Sequence, residues 1–373
     1  MSNNFENDRD RFLYVPATQR SAKANRQRIT TLLSVCLILA GVLAFVGYGK
    51  AAAPNSTYHL VKKVLLGGEG GWDYFTVDSP THRILIPRGT HTMVLDPDGK
   101  VIGDIPNMLG SHSIDLAPEL KRMFATDGDA HSVSIYDLET LAPIREIKIP
   151  DRRTDGILYD PASKRVFAVN SPPGNDATAI DAKTGEILGS VPLGGKPETA
   201  QADGKGRIYV NNEDKNQIVE FDSKTLKVLN TWPMAGCNQP AGLAIDTVHK
   251  RLFAGCHSGI IAVVDYTNGK EVATIPIGQG VDANRFDPGT GLVFASCGDG
   301  TITVAHEDTP DKYTVVQTIL TQRGARTMAL DTRNHNVYTV TAELGPPPPA
   351  TPENPRPRPT IVPNTFTLLI FSR

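Results

Sequence analysis

The chain has few cysteines and none of the short motifs by which common catalytic and cofactor sites announce themselves. Its 373 residues include four cysteines, with no Cys-x-x-Cys pair and no Cys-x-x-Cys-His. A covalently attached haem c is therefore excluded. Gly-x-Ser-x-Gly, His-Glu-x-x-His and Gly-x-x-x-x-Gly-Lys-Ser/Thr are missing as well, which removes the usual serine-hydrolase, zinc-protease and P-loop readings. Gly67-Gly68-Glu69-Gly70-Gly71 leads into a strand pattern, not a helix, so it has the wrong context for cradling phosphates. A large excess of one charge is also lacking, with 38 Lys/Arg against 40 Asp/Glu. Without residues 1–50 the balance is 31 basic to 37 acidic, a net charge of −6, so no nucleic-acid partner is expected.

What the chain does have is a repeat. With 40% hydrophobic residues, 33 Gly and 28 Pro, it carries enough apolar residue for a core and many turns. The turns recur in register: Asp78 to Arg83, Ala117 to Arg122, Asp160 to Arg165, Asp203 to Arg207, Asp246 to Arg251, Asp287 to Leu292 and Asp331 to Asn336. Successive anchors are 39, 43, 43, 43, 41 and 44 residues apart, the period of a β-propeller blade. Each unit reads as four strands; in the third these are Gly156–Tyr159, Val166–Asn170, Ala177–Ile180 and Ile187–Val191. Hairpins opening with Asp96, Asp137, Asp181, Asp222 and Asp265 separate the third and outer strands, where Asp caps the turn and Gly often supplies a positive φ. Exits at Ile105-Pro106, Ile149-Pro150, Val191-Pro192, Trp232-Pro233 and Ile275-Pro276 put proline at the outermost strand, where a missing N–H costs least.

The last unit has only three strands of its own, while residues 58–66 read as an outer strand without a blade. Joining the two closes the ring and removes an open edge. The expected fold is all-β: a seven-bladed propeller of four-stranded blades over residues 58–373, closed by an N-terminal outer strand. A single membrane-spanning or signal segment precedes it.

That segment is the uncharged run 29–49. Residues 1–28 form a basic tail with six Lys/Arg against three acids, which is expected to stay cytoplasmic and leave the propeller exported, on the periplasmic or extracellular side. The run is long enough to cross a bilayer, yet Ala51-Ala52-Ala53, within a linker at 50–57, looks like a signal cleavage site; both an uncleaved anchor and a cleaved signal stand as alternatives. Leu33-Ser34-Val35-Cys36 matches a lipoprotein box poorly. Contact with the membrane is expected only through this segment.

The Asp-Pro-x-x-x-Arg turn, Tyr209-Val210-Asn211-Asn212, Phe167-Ala168-Val169-Asn170, the Asp-x-x-Thr-Gly hairpin and the Ile-Pro-Ile-Gly exit resemble the YVTN repeat family of bacterial propellers, to which YncE-like proteins belong. The resemblance covers residues 58–373 and implies a seven-bladed exported propeller with no general reaction. Trp72-Asp73 is not the WD40 dipeptide, because it opens an inner strand.

What recurs in every blade is expected to be structural; what breaks the symmetry is a candidate for function. Arg83, Arg122, Arg165, Arg207 and Arg251 recur and are read as partners of the nearby turn Asp. The position five residues before each anchor does not recur: Asp73, His112, Asp155, Glu198, Ala241, Asp282 and Arg326. These open the inner strands and are expected to ring one mouth of the channel, where mutual pKa shifts and binding of a cation or a polar ligand are expected. On the same face lie His91, His131 and His257, with Asp127 and Asp129 beside His131. Asp73, His91, His112 and His131 are the candidate ligands of a divalent cation, although their spacing is not that of a compact metal motif.

A proline-rich insertion, residues 345–363, has nine prolines from Pro346 to Pro363. It is expected to be an extended, stiff loop that joins no sheet and emerges on the same face with Arg356 and Arg358 exposed, where a rim or lid over the mouth and a disordered or partner-docking spacer stand as alternatives. A Cys237–Cys256 disulfide is expected, leaving Cys297 free, because Cys256 and Cys297 belong to different blades. The favoured role is binding, as a monomer, of a small polar ligand or an exported protein partner at the loop-rich face. The alternative is a lactonase-like hydrolase or lyase with His112 or Glu198 as base beside a cation or Arg326.

Overall fold

A computed structural model describes residues 57–351, 355 and 357–373. The tail, the apolar run, Cys36 and Arg356 lie outside the described residues. Among the described residues no helix is long and apolar enough to cross a membrane.

Seven four-stranded antiparallel sheets follow one another around a ring. Blade 1 comprises Thr76–Asp78, Arg83–Pro87, Thr92–Leu95 and Val101–Ile105; blade 6 comprises Val281–Asp287, Leu292–Cys297, Thr301–Thr309 and Lys312–Leu320. Blade 7 is composite: His59–Leu65 is its outer strand and pairs antiparallel with Thr367–Ser372, which continues to Val337–Thr341 and Met328–Leu330. The closing strand therefore spares the third strand of blade 7 an open edge.

The turn chemistry explains why each blade starts where it does. Asp160 accepts from the amides of Ala162 (3.2 Å) and Ser163 (3.0 Å), and Asp246, Asp287 and Asp331 accept in the same way from Val248, Gly289 and Arg333. One residue before the second strand then takes a left-handed conformation, as at Lys164 (φ 56°) and Lys250 (φ 61°). Asx turns of this kind tolerate that backbone.

Apolar side chains form seven clusters, each between two neighbouring blades, in place of a single core. The second strands supply the large members: Phe124, Phe167, Tyr209, Phe253, Phe294 and Tyr338 are all fully or nearly fully buried. Burying one such ring is worth about 1.5–3 kcal/mol. Outer strands are mostly exposed, as the pattern of Val228–Pro233 shows.

The recurring arginines differ from expectation. Arg83 reaches the carbonyl of Leu138 (2.7 Å), Arg122 that of Ala182 (2.7 Å), Arg165 those of Ser223 (2.7 Å) and Lys224 (2.8 Å), and Arg251 that of Pro310 (3.0 Å). Each staples its blade to the outer hairpin of the next. Only Arg83 also bonds its own turn Asp78, at 3.1 Å. Arg122 has Ala117, not an Asp, at its anchor, and in the turns before Arg165 and Arg251 the Asp160 and Asp246 carboxylates already accept local amides. Arg207 stays within its blade, on Asp222 and Glu220.

Cys237 and Cys256 are joined by a disulfide with Cα atoms 5.2 Å apart, and Cys297 is free and buried. The base of the proline-rich loop is more ordered than composition implies. Leu344 and Ile361 form an antiparallel bridge, and the Gly345 amide donates to the Thr360 carbonyl (2.8 Å). Its non-proline residues, Glu343 to Gly345 and Thr360 to Val362, keep the N–H groups that a bridge requires.

Candidate functional site at the channel mouth

His112, Asp155, Glu198 and Asp282 lie at the starts of the inner strands Ser111–Ala117, Arg153–Asp160, Pro197–Ala202 and Val281–Asp287, as expected, whereas Asp73 and Arg326 stand just before the shorter inner strands Thr76–Asp78 and Met328–Leu330; all six still converge. Asp73, His112, Asp155, Glu198, Asp282 and Arg326 line one cavity of about 420 Å³ together with Arg153, Ser171, Lys196 and Arg358. The seventh ring position, Ala241, contributes its carbonyl, which accepts from Asn211 Nδ2 at 3.1 Å.

Carboxylates and cations interleave along the arc Asp155, His112, Asp73, Arg326 and Asp282. His112 sits between two carboxylates, with Nε2 3.3 Å from Asp73 Oδ2 and Nδ1 2.7 Å from Asp155 Oδ1. Arg326 bridges Asp282 (2.5 Å) and Asp73 (3.6 Å). Lys196 lies between Glu198 (3.5 Å) and Glu213. Ser171 donates to Asp155, and the Tyr74 hydroxyl donates to the Asp282 carbonyl (3.0 Å).

These contacts set the protonation states. Burial opposes charge on His112, but the Asp155 hydrogen bond and the charges of Asp73 and Asp155 outweigh it and raise its pKa to about 9. Burial alone would raise Asp155, yet the hydrogen bond and charge of His112 hold it below the usual carboxylate range. Burial pushes Glu198 up to about 8, reinforced by the charge of Asp155. Asp73 is raised by burial too. At neutral pH the ring thus holds an imidazolium and a protonated Glu198 beside ionised Asp155.

The loop histidines are not gathered here. His91 Nε2 is 3.8 Å from Asp104, and His131 Nδ1 is 2.6 Å from the Arg152 carbonyl. Asp127 accepts from Ser134 (2.8 Å) and lies in a separate cavity of about 430 Å³ with Glu146. Asp129 is 3.7 Å from Arg153. His257 lines an adjoining cavity of about 440 Å³ with Trp72, Asp282, Arg326, Leu344, Arg358 and Ile361. Arg358 lines both cavities, so the base of the proline-rich loop borders this side of the mouth.

Sequence reasoning missed Arg153 and Lys196. The signal was available: two residues before the ring position stand Gly71, Gly110, Gly280 and Gly324 in four blades, but Arg153 and Lys196 in blades 3 and 4. Strand alternation puts such i−2 residues on the same side as the ring. It also missed a deeper polar layer, where Asp115 and Arg285 line a cavity of about 260 Å³. Burial raises Asp115 to about 6 although the amides of Tyr159 and Leu116 favour its charge.

Fold and site together define a seven-bladed β-propeller with a charged channel mouth. The PQQ_2 repeat family, described as outer membrane protein assembly factor BamB, matches residues 127–341, and the chain belongs to that family. The narrower YVTN resemblance rests on the repeat sequence alone. Among solved structures, one similar chain is Kuenenia stuttgartiensis hydrazine synthase, at 16% identity and a TM-score of 0.63, covering 72% of this chain and 92% of that one. Another belongs to a mitotic checkpoint complex, at 12% identity and a TM-score of 0.68, covering 88% and 97%. At these identities both show the fold alone. No curated protein sequence matches.

Proposed function

We propose that this propeller is an exported binding protein whose channel mouth holds a small polar ligand carrying an anionic group. The observation that carries the reading is the imbalance of spent and unspent charge around the cavity. Asp73, Asp155 and Asp282 each contact His112 or Arg326, three carboxylates on two cations, while two further guanidinium groups face the same cavity. Arg358 is exposed and has no ion pair among the described residues, and Arg153 has only the exposed Asp129 at 3.7 Å. Two guanidinium forks over one cavity suit a carboxylate or phosphate oxygen pair. Glu198 Oε2 is buried without a hydrogen-bond partner, and as a neutral acid it adds a donor.

A divalent cation fits the mouth poorly in this reading. A metal-ligating histidine must be neutral, whereas both ring nitrogens of His112 face carboxylates and its pKa is raised to about 9. The same protonation removes His112 as a general base at neutral pH. The hydrolase or lyase alternative then depends on Glu198, which at a pKa of about 8 is suited to acid–base work near neutrality.

Export is supported by the Cys237–Cys256 disulfide, by the basic residues before the apolar run and by the family's description as an outer membrane protein assembly factor. That description also favours a protein partner as a second reading, meeting the same loop-rich face.

Thermal shifts with citrate, succinate and inorganic phosphate test the proposal. A stabilising member should lose its effect in Arg358→Glu and Arg153→Glu. No shift from any of the three, or a shift unchanged in both variants, overturns it.

A further inference from the structure

The inner strands run from the mouth to the turns on the opposite face, and there the repeat breaks at the seam between blades 5 and 6. In blades 2 to 5 the first residue of the second strand is an arginine, paired in register with the hairpin aspartate: Arg122 with Asp137, Arg165 with Asp181, Arg207 with Asp222 and Arg251 with Asp265. In blade 6 the pair is Leu292 with His306, and the hairpin strands continue to Thr309 and Lys312. The added length carries Glu307 across to the turn of blade 5. Arg251 clamps the extended tip through the Pro310 carbonyl (3.0 Å) and Asp311 Oδ1 (2.7 Å).

At that point three side chains from two blades converge. His249 Nδ1 is 2.8 Å from Asp246 Oδ2 and 3.2 Å from Glu307 Oε1, and one ligand atom from each residue lies within 4.8 Å of the others. Both carboxylate side chains are buried, at 2% and 3% exposure, while the imidazole is 46% exposed. The group is thus walled on the protein side and open to solvent on one.

We propose that Asp246, His249 and Glu307 form a site for a divalent transition-metal ion of the zinc class, bridging blades 5 and 6. Two ligand atoms about 2.0–2.2 Å from one ion lie roughly 2.8–3.6 Å apart, and His249 Nδ1 is 2.8 and 3.2 Å from the two carboxylate oxygens, spacings that shared ligation of one ion requires. Imidazole nitrogen and carboxylate oxygen are both donors that zinc accepts, and three protein ligands leave a fourth position for water. Outer contacts orient the ligands: the Val248 amide donates to Asp246 Oδ1 (2.8 Å), and the Tyr313 hydroxyl lies 3.4 Å from Glu307 Oε1 and 2.8 Å from the Pro310 carbonyl. Such outer partners fix ligand geometry. Neighbouring turns supply an internal control. His335 meets Asp287 (2.7 Å) and His82 meets Asp331, but neither pair has a third ligand among the described residues.

The full chain, purified without a histidine tag and stripped with chelator, is dialysed against Zn2+ and analysed for bound metal and thermal stability. The expected result is one zinc retained per chain with a raised Tm, and affinity weakened roughly tenfold or more in Glu307→Gln and His249→Ala. His335→Ala should bind as the parent does. His249 is half exposed, so its replacement is compatible with folding, and the melting transition of each metal-free variant verifies this. No retained zinc in the parent, or equal retention in parent, Glu307→Gln and His249→Ala, overturns the proposal.

Discussion

Between blades, the repeat places a large apolar residue at one position of the second strand seven times: Leu85, Phe124, Phe167, Tyr209, Phe253, Phe294 and Tyr338. At the channel mouth the same repeat supplies Asp73, His112, Asp155, Glu198, Ala241, Asp282 and Arg326, no blade repeating its neighbour's choice in sequence order. The difference follows from solvent. A position sealed between two sheets has few solutions that fill the space without stranding a polar group. A rim position faces water and its counterparts across the channel, so its identity is free to follow chemistry.

The largest expected effect comes from breaking closure. Deleting residues 59–65 removes the outer strand of blade 7 and exposes the edge of Thr367–Ser372, which should abolish cooperative unfolding or cause aggregation. A deletion variant that melts sharply at the parent temperature would show that the ring does not need this strand.

A smaller effect separates the two regions directly. Phe167→Ala hollows the layer between blades 3 and 4, where Phe167 packs edge-on to Phe221 with centroids 5.3 Å apart. The cost should be about 3–5 kcal/mol by denaturant unfolding, with metal retention at the blade 5–6 seam unchanged. A cost below about 1 kcal/mol, within the range of an ordinary surface substitution, would mean that the interblade layers are not what holds the ring.

The smallest effect belongs to the mouth. His112 keeps its proton to about 9 against 6.5 for a free imidazole, and Glu198 to about 8 against 4.5. The native state therefore binds more protons than the unfolded chain between pH 6.5 and 8, so stability falls as pH rises through that window and on toward 9. Melts from pH 6.5 to 9 should show a declining Tm, with the decline below pH 8 reduced in Glu198→Gln, which cannot ionise. A flat parent profile would contradict both protonation states.

Much of the architecture was legible because it is local. An Asp that binds amides two and three residues ahead, a left-handed residue before the second strand and an apolar run of fixed length can all be read within one unit. Closure was legible for the same reason, since residues 58–66 lacked a blade and the last unit lacked a strand. Arg83 keeps the expected turn Asp78 and also reaches across the seam, whereas Arg165 and Arg251 reach across it without bonding their turn Asp: an Asp five residues away is nearer in sequence than a carbonyl about 60 residues on, and across the seam the order of distances reverses. Arg153 and Lys196 stand in the sequence two residues before the ring, whereas the protonation of Glu198 has no sequence signal, because it depends on burial and on the charge of Asp155.

The sequence by itself determined the number of blades, their phase and the positions that ring the mouth, because a repeat of 39 to 44 residues constrains every unit in the same way. It also indicated which cysteines share a blade. Only the tertiary structure decided which groups meet across blades: His112 between Asp73 and Asp155, Arg358 at the mouth, and Glu307 against Asp246 and His249. Those meetings depend on hairpin length and on how neighbouring sheets face each other around the ring, quantities to which no single repeat gives access.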